Sequence, residues 1–150
     1  MRVTIRNLAR CAALGAMVAS TGIALAAAPL PPVHHAGAVA YLSGGIGQGE
    51  AQAIEGSERN WPLTLEFAQR DHHHGDFVAN VAVVVRDAHG RTSLHATSDG
   101  PFLLARLAPG HYAVDATLDG KTLHEKVAVR SGAPTKAIFV WPAGTDHDNS

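Results

Sequence analysis

The chain has 150 residues, with 12 Lys and Arg against 13 Asp and Glu, one cysteine and a net charge of −1. A chain of this size builds one single-core domain. Its charge balance, with no long run of either sign, excludes a basic nucleic-acid-binding face and a charged tail. A lone cysteine excludes an intramolecular disulfide, so the fold has to be held by packing.

Residues 1–26 read as a Sec-type signal peptide. Arg2, Arg6 and Arg10 form a basic start, Cys11 opens an apolar run of small residues, and Ala24-Leu25-Ala26 meets the small-x-small cleavage rule. A membrane span needs about 20 apolar residues. This run is shorter and Ala-rich, and Pro29, Pro31 and Pro32 follow it at once. Cleavage after Ala26 and a periplasmic location are expected, with no membrane span left afterwards. Cleavage removes three basic residues and no acidic one, which leaves a mildly acidic, cysteine-free domain.

Residues 27–61 form a Pro/Gly-rich lead-in and a short helix. The stretch 27–37 (AAPLPPVHHAG) is extended in character, 38–42 is a short strand or ordered arm, and 43–49 (SGGIGQG) is a glycine loop. The segment 50–59 (EAQAIEGSER) has helix formers, an early acid and a late Arg59, which suits the helix dipole. Ile46, Ile54 and Trp61 are placed to pin this helix on a sheet. Gly45-x-Gly47-x-Gly49 lacks both a βαβ setting and a Gly-Lys-Ser/Thr, so nucleotide binding is excluded.

From Pro62 the apolar pattern changes to period two. Leu63, Leu65 and Phe67 mark a first strand, and Phe77, Ala79, Val81, Val83 and Val85 mark a second, β-branched one. Asp87-Ala88-His89-Gly90 is a turn. Residues 91–97 form a third strand anchored by Leu94. Phe102, Leu104 and Leu107 define a fourth, with a bulge near Ala105-Arg106. Tyr112, Val114, Ala116 and Leu118 line the fifth. Val127 and Val129 line the sixth, with Glu125 at its rim. Ala137, Phe139 and Trp141 line the seventh. Pro142 ends it, and 143–150 is a polar tail. Seven strands with turns every 8–12 residues or so imply a β-sandwich over 62–142.

The stretch V-A-V-V-V-R-D-A-H-G (81–90), then D-G-P-F-L-L-A-R-L-A-P-G-H-Y-A-V (99–114), then D-G-K (119–121), resembles the carboxypeptidase regulatory-like family of transthyretin-like and Cna-B-type β-sandwiches. The resemblance implies an all-β, seven-stranded antiparallel Greek-key β-sandwich with a short N-terminal helix. Its signature residues are Asp99, Gly100, Leu107, Pro109, Gly110 and Tyr112. These build a turn between packed strands and carry no chemistry. The Tyr-Arg-Gly-Ser tetrapeptide of the transthyretin-like hydroxyisourate hydrolases and a His-Glu-x-x-His motif are both missing from the sequence.

One run of residues suggests chemistry. Asp71-His72-His73-His74-Gly75-Asp76 falls where a hairpin loop joins the first two strands, and imidazoles with a carboxylate suit zinc, copper or nickel. Two readings stand. One is a metal site of His72, His73, His74 and Asp76, joined by His34-His35 or Asp146-His147-Asp148. The other is a polar surface loop, because neighbouring side chains in an extended loop diverge. His89, His95, His111 and His124 are scattered on outward positions, and a second site would need His111 and His124 to be neighbours. No serine sits in a nucleophile-elbow setting, and Glu55 and Glu58 read as a solvated helix face. A non-catalytic module without a cofactor is expected, holding a protein or cell-envelope partner; a periplasmic metal binder is the alternative.

Overall fold

The computed structural model describes residues 26–71 and 75–147. Ten strands and one α-helix are found among them. The strands are β1 (His34–Ala36), β2 (Val39–Gly44), β3 (Leu63–Arg70), β4 (Gly75–Phe77), β5 (Ala82–Arg86), β6 (Thr92–Thr97), β7 (Phe102–Ala105), β8 (Gly110–Leu118), β9 (Lys121–Val129) and β10 (Thr135–Trp141). Helix α1 (Gln48–Ser57) runs into a 3-10 turn, Glu58–Asn60, ahead of β3. None of the described helices is long and apolar enough to cross a membrane.

The strands form two sheets, which makes the protein an all-β sandwich. The larger sheet has the order β1-β2-β7-β3-β10, with β4 paired to β3 beyond the end of β7; the smaller has the order β6-β5-β8-β9. The expected purely antiparallel arrangement is corrected at one place: β10 pairs parallel with β3. The link from β9 to β10 passes from the smaller sheet to the larger, so β10 pairs with β3 and not with the strand that precedes it. The expected strand count of seven becomes ten. Strands β1 and β2 come from the lead-in. The period-two run 77–85 is not one strand but two: β4 belongs to the larger sheet and β5 to the smaller. The chain crosses between them at Asn80, whose φ is 59°. Ser98 secures the crossing. Its carbonyl accepts the Asn80 N–H (2.9 Å), its N–H donates to the Val81 carbonyl (2.8 Å), and its Oγ accepts the Val81 N–H (3.1 Å).

The inner faces meet in one core, which includes Leu63, Leu65 and Phe67 of β3, Val83 and Val85 of β5, Val114, Ala116 and Leu118 of β8, and Phe139 and Trp141 of β10. The rings of Phe67, Phe139 and Trp141 lie 5.9–6.3 Å apart at tilted or offset angles, a favourable aromatic geometry. Glu125 is exposed although it is in phase with the buried Val127 and Val129.

A second core lies on the outer face of the larger sheet. Helix α1 covers Leu42, Phe102 and Leu104 there, adding Ile54, while Trp61 follows from the 3-10 turn. This corrects the expected single face of Phe102, Leu104 and Leu107. Strand β7 is buried on both sides: Leu103, Ala105 and Leu107 face the sandwich core, and Phe102 and Leu104 face the helix. The spacing of three from Leu104 to Leu107 is thus a change of face, not a bulge. A register shift does occur, between Val85 and Arg86. Ile46 does not pin the helix, since it is 68% exposed.

The signature turns have local causes. Asp119 and Gly120 both adopt positive φ (45° and 76°) between β8 and β9, as a two-residue hairpin requires. Tyr112 Oη donates to the Ala108 carbonyl at 2.6 Å, which ties the Pro109-Gly110 turn to β8. Gly100 is set by contact: a Cβ there would stand 2.4 Å from the Gly44 carbonyl oxygen. Beside it, Ser43 Oγ donates to the Phe102 carbonyl (2.9 Å) and accepts the Asp99 N–H (2.8 Å). Gly100→Ala is therefore expected to destabilise the protein by about 1–3 kcal/mol. Gly56→Ala, in the helix with open space around it, is expected to stabilise it by about 0.5–1 kcal/mol. Urea midpoints of the two variants check the contrast.

Candidate functional site

The β3–β4 hairpin carries the histidine run at one end of the sandwich. His72, His73 and His74 lie outside the described residues. Their flanks are placed: Asp76 is exposed on β4 opposite Gln69, and Gly75 is opposite Arg70. The expected additional ligands separate into two groups. His34 and His35 sit on β1, where His34 is level with Tyr41, Ala105 and Leu63, at the far end of β3 from the hairpin. They are not brought to the loop. The tail does return to it. The Asp146 N–H donates to Gln69 Oε1 (3.0 Å), and the His147 N–H donates to Asp119 Oδ2 (3.0 Å). Thr145 and Asp146 are buried, so residues 143–147 are a docked cap on this end. Asp148 lies outside the described residues. No group of three or more metal-ligating side chains occurs among the described residues.

The remaining histidines are spread across the smaller sheet. His95, His111 and His124 are all exposed on their strands. His111 is level with Ala128 and His124 with Asp115, four residues apart along the ladder, so the two are not neighbours. His124 has a different partner. Its Nδ1 lies 2.6 Å from Asp115 Oδ1, while Arg86 Nη1 donates to Asp115 Oδ2 at 2.5 Å. The His124 hydrogen bond first, and then the Arg86 guanidinium, hold the Asp115 carboxyl below the ordinary carboxylate value. This cross-strand trio joins β5, β8 and β9 on an open, flat face.

The glycine loop is already occupied from within the chain. Glu50 Oε1 accepts the Gly45 N–H at 2.7 Å, so a carboxylate stands where a phosphate would have to bind. Glu58 does not belong to a solvated helix face. Lys136 bridges it (3.0 Å) to Glu66 (2.7 Å) and so clamps the 3-10 turn to the sheet. Burial alone would lower the Lys136 ammonium, but the two carboxylates outweigh it and raise it.

An apolar strip crosses the outer face of the larger sheet beyond the reach of α1. Val140 on β10, Ala68 on β3 and Phe77 on β4 are in register across three adjacent strands, and Ile138 is next to Glu66. Phe77, Ile138 and Val140 are 50%, 53% and 43% exposed. Phe77 also shares a cavity of about 370 Å³ with Ile46, which extends the strip toward the glycine loop. The alternation of β10 contained part of this signal, since Ile138 and Val140 are apolar on the side opposite Ala137, Phe139 and Trp141. Phe77 was hidden by its place in a run that looks like one buried strand.

In comparisons with known proteins, no family model matches the chain and no curated protein matches it.

The Asp115 trio gives a pH dependence. A carboxyl held below its ordinary value contributes stability that is present above the unfolded value and lost as pH falls through the folded one. Asp115→Asn is expected to lower stability at pH 7 by less than about 1 kcal/mol, as for a surface pair. The difference from the parent should shrink as pH falls below the ordinary carboxylate value of 3.8 and vanish only below the lowered folded value. Denaturation curves from pH 7 to pH 2 measure this.

Proposed function

We propose that the protein is an exported, non-catalytic β-sandwich module that holds a protein partner on the outer face of its larger sheet. The observation that carries this reading is the row Val140–Ala68–Phe77 with Ile138 beside it, exposed where the helix leaves the sheet uncovered. Scattered apolar residues are normal on a surface, but contiguous ones with a polar rim mark interaction sites. Glu66 and Lys136 supply that rim and are themselves paired. A partner would therefore bury the apolar row without stranding a charge.

The basic start, apolar run and cleavage motif of residues 1–26 support export to the periplasm. The Leu107-x-Pro109-Gly110-x-Tyr112 turn, with its Tyr112 bond to Ala108, supports kinship with the carboxypeptidase regulatory-like, Greek-key sandwiches. Scaffolds of that kind carry many roles, so the strip and not the fold argues the function.

A second reading, transition-metal binding by His72, His73, His74 and Asp76, is favoured by one observation. The tail returns Asp146 and His147 to the end of the sandwich that carries the hairpin. Titration of the untagged protein with zinc, copper and nickel, beside a variant with all three histidines changed to alanine, decides it. Tight stoichiometric binding lost in the variant is the expected result on that reading; binding that is weak or unchanged in the variant contradicts it.

For the principal reading, a photoreactive amino acid is placed at position 77, 140 or 95 in cells that make the protein. Positions 77 and 140 are expected to give the same discrete heavier adduct, weakened by Ile138→Asp, and position 95 on the other sheet none. No adduct from the strip, or the same adduct from position 95, sinks the proposal.

A further inference from the structure

At the end of the sandwich opposite the hairpin, a depression of about 310 Å³ opens between the 3-10 turn, the link from β7 to β8 and the turn from β9 to β10. Each segment contributes one arginine to its lining: Arg59, Arg106 and Arg130. No aspartate or glutamate lines it. Among the described residues none of the three arginines takes part in a salt bridge, whereas Arg86, Arg91 and Lys136 all do. In a domain with more acidic than basic residues, three exposed guanidinium groups have been gathered without a carboxylate to neutralise them. An anion arriving there would meet three positive charges and no competing carboxylate.

The site is partly built in advance. Arg106 lies 4.3 Å over the centre of the Trp61 ring and donates to the Asn60 carbonyl at 3.3 Å, which limits its freedom before any ligand arrives. Arg130 is tied at the base of its turn by a bridge to Ala133, with Gly132 at φ 72° letting the chain reverse. The floor is apolar, formed by Trp61, Leu107 and Val129, all nearly fully buried.

We infer that this depression binds a phosphomonoester carried on a small organic body. Guanidinium forks match phosphate oxygens in pairs. A doubly charged phosphate balances three arginines better than a single carboxylate does. The volume is at the small end of ligand pockets, and the apolar floor and walls suit an organic portion. This inference stands apart from the apolar strip and from the hairpin.

The test uses the untagged protein with three probes: inorganic phosphate, glycerol 1-phosphate, and phosphatidylcholine vesicles with and without phosphatidic acid. Saturable binding of glycerol 1-phosphate, tighter than that of inorganic phosphate, is expected for a soluble ligand. Binding confined to phosphatidic-acid vesicles assigns the same group to a lipid headgroup. In either case Arg130→Gln and Arg106→Gln should each weaken binding about tenfold or more, and Arg70→Gln at the other end should not. Arg130 is on an exposed turn, so its variant tests the site even if the loss of the Trp61 contact perturbs folding of the Arg106 variant. The inference is overturned if no probe binds saturably, if only inorganic phosphate binds, if acetate competes equally, or if Arg70→Gln weakens binding as much.

Discussion

Strand β7 is the constraint on which the rest depends. Its four residues are buried on both faces, with Leu103 and Ala105 in the sandwich and Phe102 and Leu104 under the helix. A strand in that position has to approach its neighbour closely. Gly100 allows this against the Gly44 backbone, and Ser43 bridges the Phe102 carbonyl and the Asp99 amide where the two segments meet. Burial on both sides couples the helix to the sandwich, because material lost from either face leaves a cavity next to the same backbone.

That coupling also decides which surface stays open. The helix is ten residues long and covers the part of the larger sheet that includes β2 and β7. The clamp of Lys136 on Glu58 and Glu66 marks the limit of this cover. Beyond it, β10, the second half of β3 and β4 present Ile138, Val140, Ala68 and Phe77. The smaller sheet has no such strip; its outer face carries the Arg86–Asp115–His124 trio and exposed histidines. The two sheets therefore differ in character. One is apolar and half covered, and the other is polar and open.

Much of the fold was legible in the sequence because period two survives wherever one face of a strand meets the core. Strands β3, β8 and β10 show it plainly, and the Asp-Gly and Pro-Gly pairs mark their ends. Two features were not legible, for physical reasons. A strand buried on both faces reads as an unbroken apolar run, so Phe-Leu-Leu-Ala could not show which residues face which core. The run from Phe77 to Val85 kept its alternation through a crossing between sheets, since Val78, Ala79 and Asn80 break no hydrophobic pattern. The candidate sites divide in the same way. The histidine run is obvious because it is contiguous. Arg59, Arg106 and Arg130 are separated by 47 and 24 positions, and only the turns at one end of the sandwich bring them to one depression.

The central claim is that the apolar strip is covered in the cell. Hydroxyl-radical footprinting of the protein in intact cells and after purification measures this side chain by side chain. Leu30 and Val33, equally exposed in the lead-in, serve as internal controls. The account predicts that Phe77, Ile138 and Val140 react several-fold less in cells than when purified, while Leu30 and Val33 are unchanged. Equal reactivity of the strip in both settings would contradict it.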